Sequence, residues 1–151
     1  MRVAVGFDHR GVKLREPVLE ALAADGHDAV DLGVESGETR VDYPVKAAEV
    51  GSAVVDGRAD RGILVCGSGV GASIAACKLK GIRAAICHDA YSAHQGVEHD
   101  DMNVLCLGSE IVGPSLAREL VRAFLAARFA AEARYLERLE MVEELEARGH
   151  G

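Results

Sequence analysis

Gly62-Ile63-Leu64-Val65-Cys66-Gly67-Ser68-Gly69-Val70-Gly71-Ala72 is the stretch that decides the fold. Residues 62–66 are apolar without alternation, so the strand they form must be covered on both faces, as in a parallel sheet. Three glycines at alternate positions then make a tight turn, and an Ala-rich segment, 72–79, follows as a short helix. Strand, glycine turn and helix form one unit of an α/β chain, and the same alternation runs outward in both directions. Toward the N-terminus lie strands at 3–7 and 29–32, separated by a helix over 12–24 with Leu14, Val18 and Leu22 on one face. Pro17 tightens or kinks that helix early, and Gly26 stops it. Residues 33–42 are a polar, glycine-containing loop, and Pro44 opens a helix that runs to about Val55. Toward the C-terminus lie strands at 82–87 and 104–107, with the segment 88–100 read as a loop. A helix over 114–129 carries Leu116, Leu120 and Phe124 on one stripe, and a highly charged helix over 132–147 closes the chain. The expected architecture is a three-layer α/β/α sandwich, Rossmann-like, around a five-stranded parallel sheet, with a C-terminal helical extension. The sandwich spans 1–130 and the extension 131–151.

Composition bounds the function classes. The chain has 151 residues, with 17 Lys+Arg against 24 Asp+Glu, a formal charge of −7, and 49% hydrophobic residues. That apolar content excludes disorder. An acidic chain without a basic run is unsuited to nucleic-acid phosphates. No apolar run reaches the roughly 18 residues that a membrane span needs. Cys66, Cys77, Cys87 and Cys106 form no CxxC pair, which removes the zinc-ribbon and thioredoxin patterns. The N-terminus opens on a strand rather than a secretory leader. The expectation is a soluble, reduced, cytoplasmic domain.

In parallel α/β sheets ligands sit beyond the carboxyl ends of the strands. Asp8-His9, the stretch 66–71, His88-Asp89 and the residues from Gly108 onward are therefore the candidates. Two readings of the glycine turn compete. Gly67-x-Gly69-x-x-Ala72 matches the loose dinucleotide fingerprint, and Asp89 follows the next strand. Alternatively the turn is an anion hole for a reaction intermediate. A thiol at a helix start has its thiolate stabilised, and Cys66, directly before the turn, is placed to take a proton from carbon. Cysteine is equally a small buried hydrophobe, the reading that fits Cys77, Cys87 and Cys106. His88, His94 and His99 lack the spacing of a known metal site.

Several motifs occur in order: Asp8-His9-x-Gly11, Asp42-Tyr43-Pro44, Cys66-Gly67-Ser68-Gly69-Val70-Gly71, Gly81-Ile82-Arg83-Ala84 and Glu98-His99-x-Asp101-x-Asn103-Val104-Leu105. Together they resemble ribose-5-phosphate isomerase B and its galactose-6-phosphate isomerase relatives, over about residues 2 to 141. The resemblance implies an aldose–ketose isomerase of a phosphorylated sugar, with no metal and no cofactor. It implies Cys66 as the base between C2 and C1, and His99 as the acid/base that opens the sugar ring. Gly67, Ser68, Gly69, Val70 and Gly71 would form the anion hole. Asp8 would bind a substrate oxygen, His9 the phosphate, and Tyr43 would line the pocket. Asp100 falls at a substrate-binding position that many members fill with Asn. Arg134 and Arg138, one helical turn apart, would clamp the phosphate of the neighbouring subunit's site. The implied assembly is a homodimer or a dimer of dimers, with neither nucleic acid nor membrane as partner.

The chain also departs from that family. Glu110 stands two after Gly108, where the family usually has a phosphate-binding Arg, and Arg10 is a candidate to restore the missing charge. Cys77 replaces an Asn, Tyr135 replaces a His between the two arginines, and Phe7 and Arg10 replace smaller residues. Asp8 has a competing reading as a helix cap, and Arg134 and Arg138 as members of surface ion pairs. Leu136, Leu139, Val142 and Leu145 form a stripe that packs on a partner subunit or on the domain itself. A nucleotide-binding module without isomerase activity is the alternative of another class. The sugar stays open among pentose, hexose and tetrose phosphates.

Overall fold

A computed structural model describes residues 1–149; the last two positions of the 131–151 extension, His150 and Gly151, lie outside the described residues. Five strands, β1 (Arg2–Phe7), β2 (Asp28–Asp31), β3 (Arg61–Cys66), β4 (Ala84–Ile86) and β5 (Val104–Gly108), form one sheet in the order β2-β1-β3-β5-β4. Every pairing is parallel. The uninterrupted apolar runs of β1, β3 and β5 put them at the centre of the sheet, where both faces are covered.

Strand alternation divides the core in two. Val3, Val5, Phe7, Ile63, Val65, Leu105 and Leu107 face one side, where α1 (Arg15–Ala24), α4 (Ala90–Asp100) and α5 (Pro114–Ala126) cover them. Ala4, Leu64, Cys66, Val104 and Cys106 face the other, under α2 (Tyr43–Val55) and α3 (Val70–Ala76). Cys66 therefore points to the α2/α3 layer, while its neighbour Val65 packs on the opposite side. The last helix, α6 (Ala133–Gly149), lies against α4 and buries only Tyr135.

Four expectations change. Residues 88–100 are not a loop: they hold α4. Its N-terminus is capped by Asp89, whose Oδ1 accepts the Ser92 N–H at 2.7 Å. Only Ala93 and Val97 are fully buried along it, so its apolar periodicity is faint. The strand expected over 82–87 contracts to Ala84–Ile86, because the Asn103 side chain bridges the backbone ahead of it. Asn103 accepts from the Arg83 N–H at 2.8 Å and donates to the Gly81 carbonyl at 2.8 Å. The helix expected to reach 129 ends at Ala126, where the Arg61 guanidinium takes the carbonyls of Phe124 (2.5 Å) and Ala127 (2.7 Å). The helix expected from 12 starts as a 3-10 turn, Gly11–Leu14, and turns α-helical at Arg15. Pro17 then falls in the first α-helical turn, where no N–H is required of it.

Gly11 allows the β1 loop to lie on β3. A Cβ at this position would stand 1.9 Å from the Val65 carbonyl oxygen, a backbone atom that cannot move aside. Gly11→Ala is expected to destabilise the fold by about 3 kcal/mol or more. For a chain of this size the thermal midpoint should fall by roughly 10 °C, measurable by circular dichroism; a midpoint within a degree of the parent's would contradict this close approach.

Candidate active site

The chain leaves β1 toward β2 on one side and returns as β3 on the other, so the carboxyl ends of β1 and β3 flank a topological switch point. A cavity of about 350 Å³ lies there. It is lined by Asp8, His9 and Arg10 after β1, by Arg40, Asp42 and Tyr43 at the entry to α2, and by Cys66, Gly67, Ser68 and Gly71 after β3. Cys66 is 5% exposed yet opens onto this cavity.

Each glycine of the turn has its own cause. Gly69 adopts φ +83°, the left-handed conformation that starts α3, and its N–H donates to the Cys66 sulfur at 3.2 Å. Gly67 lies under the Arg10 side chain, whose Cζ would be 2.5 Å from an added Cβ. Gly71 is already inside α3 and faces the Tyr43 ring, 2.7 Å from where a Cβ would stand. The turn is clamped to the end of β5, with the Ser109 N–H on the Cys66 carbonyl (2.8 Å) and the Glu110 N–H on the Gly67 carbonyl (2.9 Å). The Ser68 hydroxyl accepts the Val70 N–H at 3.3 Å.

Asp8 caps the 3-10 turn: its Oδ1 accepts the N–H groups of Arg10 (2.9 Å) and Gly11 (2.7 Å). That leaves Oδ2 as its available oxygen. His9 Nδ1 lies 3.1 Å from the Val41 carbonyl, so this nitrogen carries the ring proton and Nε2 is left as the second polar atom. Arg40 and Asp42 were not among the expected substrate contacts, and Arg10, expected as a candidate to restore the charge missing at Glu110, lines the cavity with them. Arg40 carries a signal in its place two residues before Asp42-Tyr43, since the loop leading to Tyr43 must pass the same cavity.

The other expected site residues lie elsewhere. His99, near the end of α4, lines a separate cavity of about 470 Å³ with Tyr91, His94 and Gln95. Tyr135 of α6 stacks on the His99 ring at 4.2 Å between centroids, with its hydroxyl 3.0 Å from Nε2. Gln95 is 2.9 Å from Nδ1, and Arg134 donates to the Tyr135 hydroxyl at 2.8 Å. Tyr135 thus joins His99 to Arg134. Arg134 also pairs with Glu132 at 3.2 Å, a surface ion pair with an acid, while Arg138 is exposed. Asp100 borders a third groove with Arg83 and Met102. Gly69 and Val70 are outside the Cys66 cavity, Val70 being the exposed first residue of α3. One chain therefore brings Cys66, Gly67, Ser68, Gly71, Asp8, His9 and Tyr43 together and separates them from His99, Asp100, Arg134 and Arg138.

The remaining thiols and imidazoles have structural surroundings. Burial pushes the Cys87 thiol up to about 11 and the Cys106 thiol well above its usual value, so neither ionises near neutral pH. Cys77 is exposed, contrary to the buried reading, and donates to the Ala84 carbonyl at 3.2 Å. His88 Nε2 accepts the Gly108 N–H at 3.0 Å, and burial draws its pKa below the ordinary histidine value. His94 pairs with Glu98 at 2.8 Å. Among the described residues, no group of three His, Cys, Asp or Glu is placed to hold a metal ion, and no helix is long and apolar enough to cross a membrane.

The dinucleotide reading of the turn loses its acidic residue. β5 lies between β3 and β4, so Asp89 is not on the strand next to the turn. Its carboxylate caps α4, and the Ser92 N–H holds it below the usual carboxylate range.

Comparison with known proteins gives a consistent set. The family model Ribose/Galactose Isomerase matches residues 3–142. Ribose-5-phosphate isomerase B of Escherichia coli K12 is 43% identical over 147 residues, covering 97% of each chain. The D-erythrulose-4-phosphate isomerase of Pectobacterium atrosepticum is 38% identical over 130 residues, covering 85% of each chain. The solved ribose-5-phosphate isomerase B of Clostridium thermocellum superposes with a TM-score of 0.93 at 40% identity, covering 98% of this chain and 99% of that one.

Proposed function

The chain belongs to the ribose/galactose isomerase family, and on that premise we propose that it interconverts the aldose and ketose forms of a phosphorylated sugar, ribose 5-phosphate and ribulose 5-phosphate being the leading pair. One observation carries the chemistry: the Cys66 sulfur opens onto a polar cavity at the switch point and accepts a backbone N–H from Gly69. The Cys66 thiolate takes the proton from C2 of the open-chain aldose. The C2–H electron pair forms the C1=C2 double bond, and the carbonyl electrons move onto O1, giving an enediolate. The amides of the glycine turn and the α3 start favour that developing charge. The thiol then returns its proton to C1 while a proton moves from O2 to O1, so the exchange balances within the substrate. In this reading Asp8 Oδ2 receives a substrate hydroxyl, His9 meets the phosphate, and Tyr43 walls the cavity.

A second copy of the chain completes the site. His99 and the arginines of α6 serve the same sugar as Cys66 only if a partner subunit supplies them. Exposed apolar side chains flank both halves: Ile74 (58% exposed) on the helix after the turn, and Tyr91 (76%) beside His99. Much of the stripe on α6 is exposed as well, Leu136 at 43%, Val142 at 48% and Leu145 at 64%, which leaves apolar surface for a partner. We assign the extension 131–151 to this contact, with His99 opening the ring and Arg134, Arg138 and Asp100 meeting the partner's substrate. A homodimer is the smallest such assembly, and a dimer of dimers would repeat it. The compartment we assign is the cytoplasm.

Tyr135 should tune His99. Tyr135→Phe keeps the stack and removes the hydroxyl, at a cost of about 1 kcal/mol in orienting the imidazole, or a roughly fivefold lower kcat/KM on ring-forming substrates. A four-carbon aldose phosphate, which forms no ring through its phosphorylated oxygen, should lose less; equal losses on both would remove the ring-opening role from His99.

The relatedness to a tetrose-phosphate isomerase supports a second substrate reading within the same chemistry, D-erythrulose 4-phosphate. A panel of pentose, hexose and tetrose phosphates assayed for aldose–ketose interconversion tests the function. Conversion of ribose 5-phosphate with the highest kcat/KM is expected. No conversion of any member, with tight binding of NAD or AMP, would replace the isomerase by the nucleotide-binding module.

A further inference from the structure

Arg10 sits one residue beyond His9 at the mouth of the Cys66 cavity, with its backbone fixed on both sides. Its N–H donates to Asp8 Oδ1 at 2.9 Å, and its carbonyl accepts from the Ser109 hydroxyl at 2.8 Å. The side chain crosses the face of Gly67, its Cζ 2.5 Å from where a Cβ would stand. Among the described residues that guanidinium makes no hydrogen bond. Its one ion pair is long, 3.8 Å to Glu110, and its side chain is 57% exposed.

Glu110 is engaged mainly elsewhere. The same Oε1 takes the Lys13 ammonium at 2.5 Å, and that contact holds the carboxyl below its usual range, so it stays ionised. One carboxylate is thus shared by two cations, and a positive charge is left over at this corner of a chain whose formal charge is −7. The other charged side chains on the cavity are Arg40, Asp8 and Asp42. A planar, always-charged donor set with unspent N–H groups beside a backbone turn suits a dianionic phosphate monoester, which it can grip through two parallel bonds.

We infer that Arg10 seats the phosphate of the substrate at its end of the cavity, and that Glu110, anchored by Lys13, is the positioning residue that aims it. This rests on the sugar-phosphate reading of the cavity and names the side chain that recognises the anion. Arg40 shares the cavity but lacks the backbone anchoring and the fitted glycine.

Titration calorimetry with inorganic phosphate tests the inference without turnover, and steady-state kinetics on the best substrate of the panel tests it with turnover. Arg10→Gln should weaken phosphate binding and raise KM by about 10- to 100-fold, with kcat within about threefold of the parent. Arg10→Lys should fall between, since an ammonium keeps the charge and loses the paired bonds. Glu110→Gln should raise KM by about two- to fivefold at constant kcat, as suits an exposed ion pair. Phosphate affinity unchanged in Arg10→Gln would overturn the inference, and so would a fall in kcat at constant KM, which marks a merely structural arginine. A parent protein that binds phosphate through Arg10 but isomerises no sugar phosphate would leave the anion site standing and remove the isomerase reading instead.

Discussion

Cys66→Ala should lower kcat by about 10³-fold, within the range lost when a positioned general base is removed, and leave KM within a few-fold of the parent. The split follows from the geometry. Cys66 lines the cavity and its sulfur accepts one backbone N–H, whereas the phosphate contacts proposed for His9 and Arg10 do not involve it. Cys66→Ser should fare little better, because a hydroxyl of similar size stays protonated where a thiol can ionise. The fold should survive both changes. Cys66 ends its strand at the cavity, so truncation there opens space toward solvent instead of a sealed void. Steady-state kinetics on ribose 5-phosphate reads the result. Turnover within tenfold of the parent in Cys66→Ala would assign the proton transfer to another group.

Two inactive variants should restore one another. Cys66→Ala and His99→Asn each remove one half of every composite site, and each should be nearly inactive alone. In a two-fold dimer formed from one copy of each, one site carries both changes and the other carries neither. Mixed dimers, prepared by co-expression with two affinity tags, should therefore regain about half the parent's activity per dimer. No recovery in purified mixed dimers would mean that Cys66 and His99 act within one chain, against their placement in separate cavities.

What could be read from the residues follows from where their information lies. β3 and its turn were legible because an apolar run covered on both faces and a cluster of glycines are local signals. α4 was not legible: its buried side chains are Ala93 and Val97, too small and too few to mark a face among charged neighbours. The three glycines looked like one anion cradle. They serve a left-handed cap at Gly69, a resting place for Arg10 at Gly67 and clearance for Tyr43 at Gly71, and the last two depend on side chains far off in sequence. Asp8 and Gly11 were legible as a motif, though the capping bonds and the approach to Val65 that explain them are tertiary. The separation of His99 from Cys66 was beyond sequence reading for the same reason. Glu110 looked like a reversed charge facing a phosphate. In the fold it meets Lys13 and Arg10, so the reversal comes with cations beside it.

The proton transfer itself can be followed in D₂O. Ribose 5-phosphate incubated with the parent protein should acquire solvent deuterium at the carbons between which the proton moves, seen by proton NMR, and Cys66→Ala should show none over the same period. Exchange at the parent's rate in the variant lacking the sulfur would contradict a thiolate that removes and returns that proton.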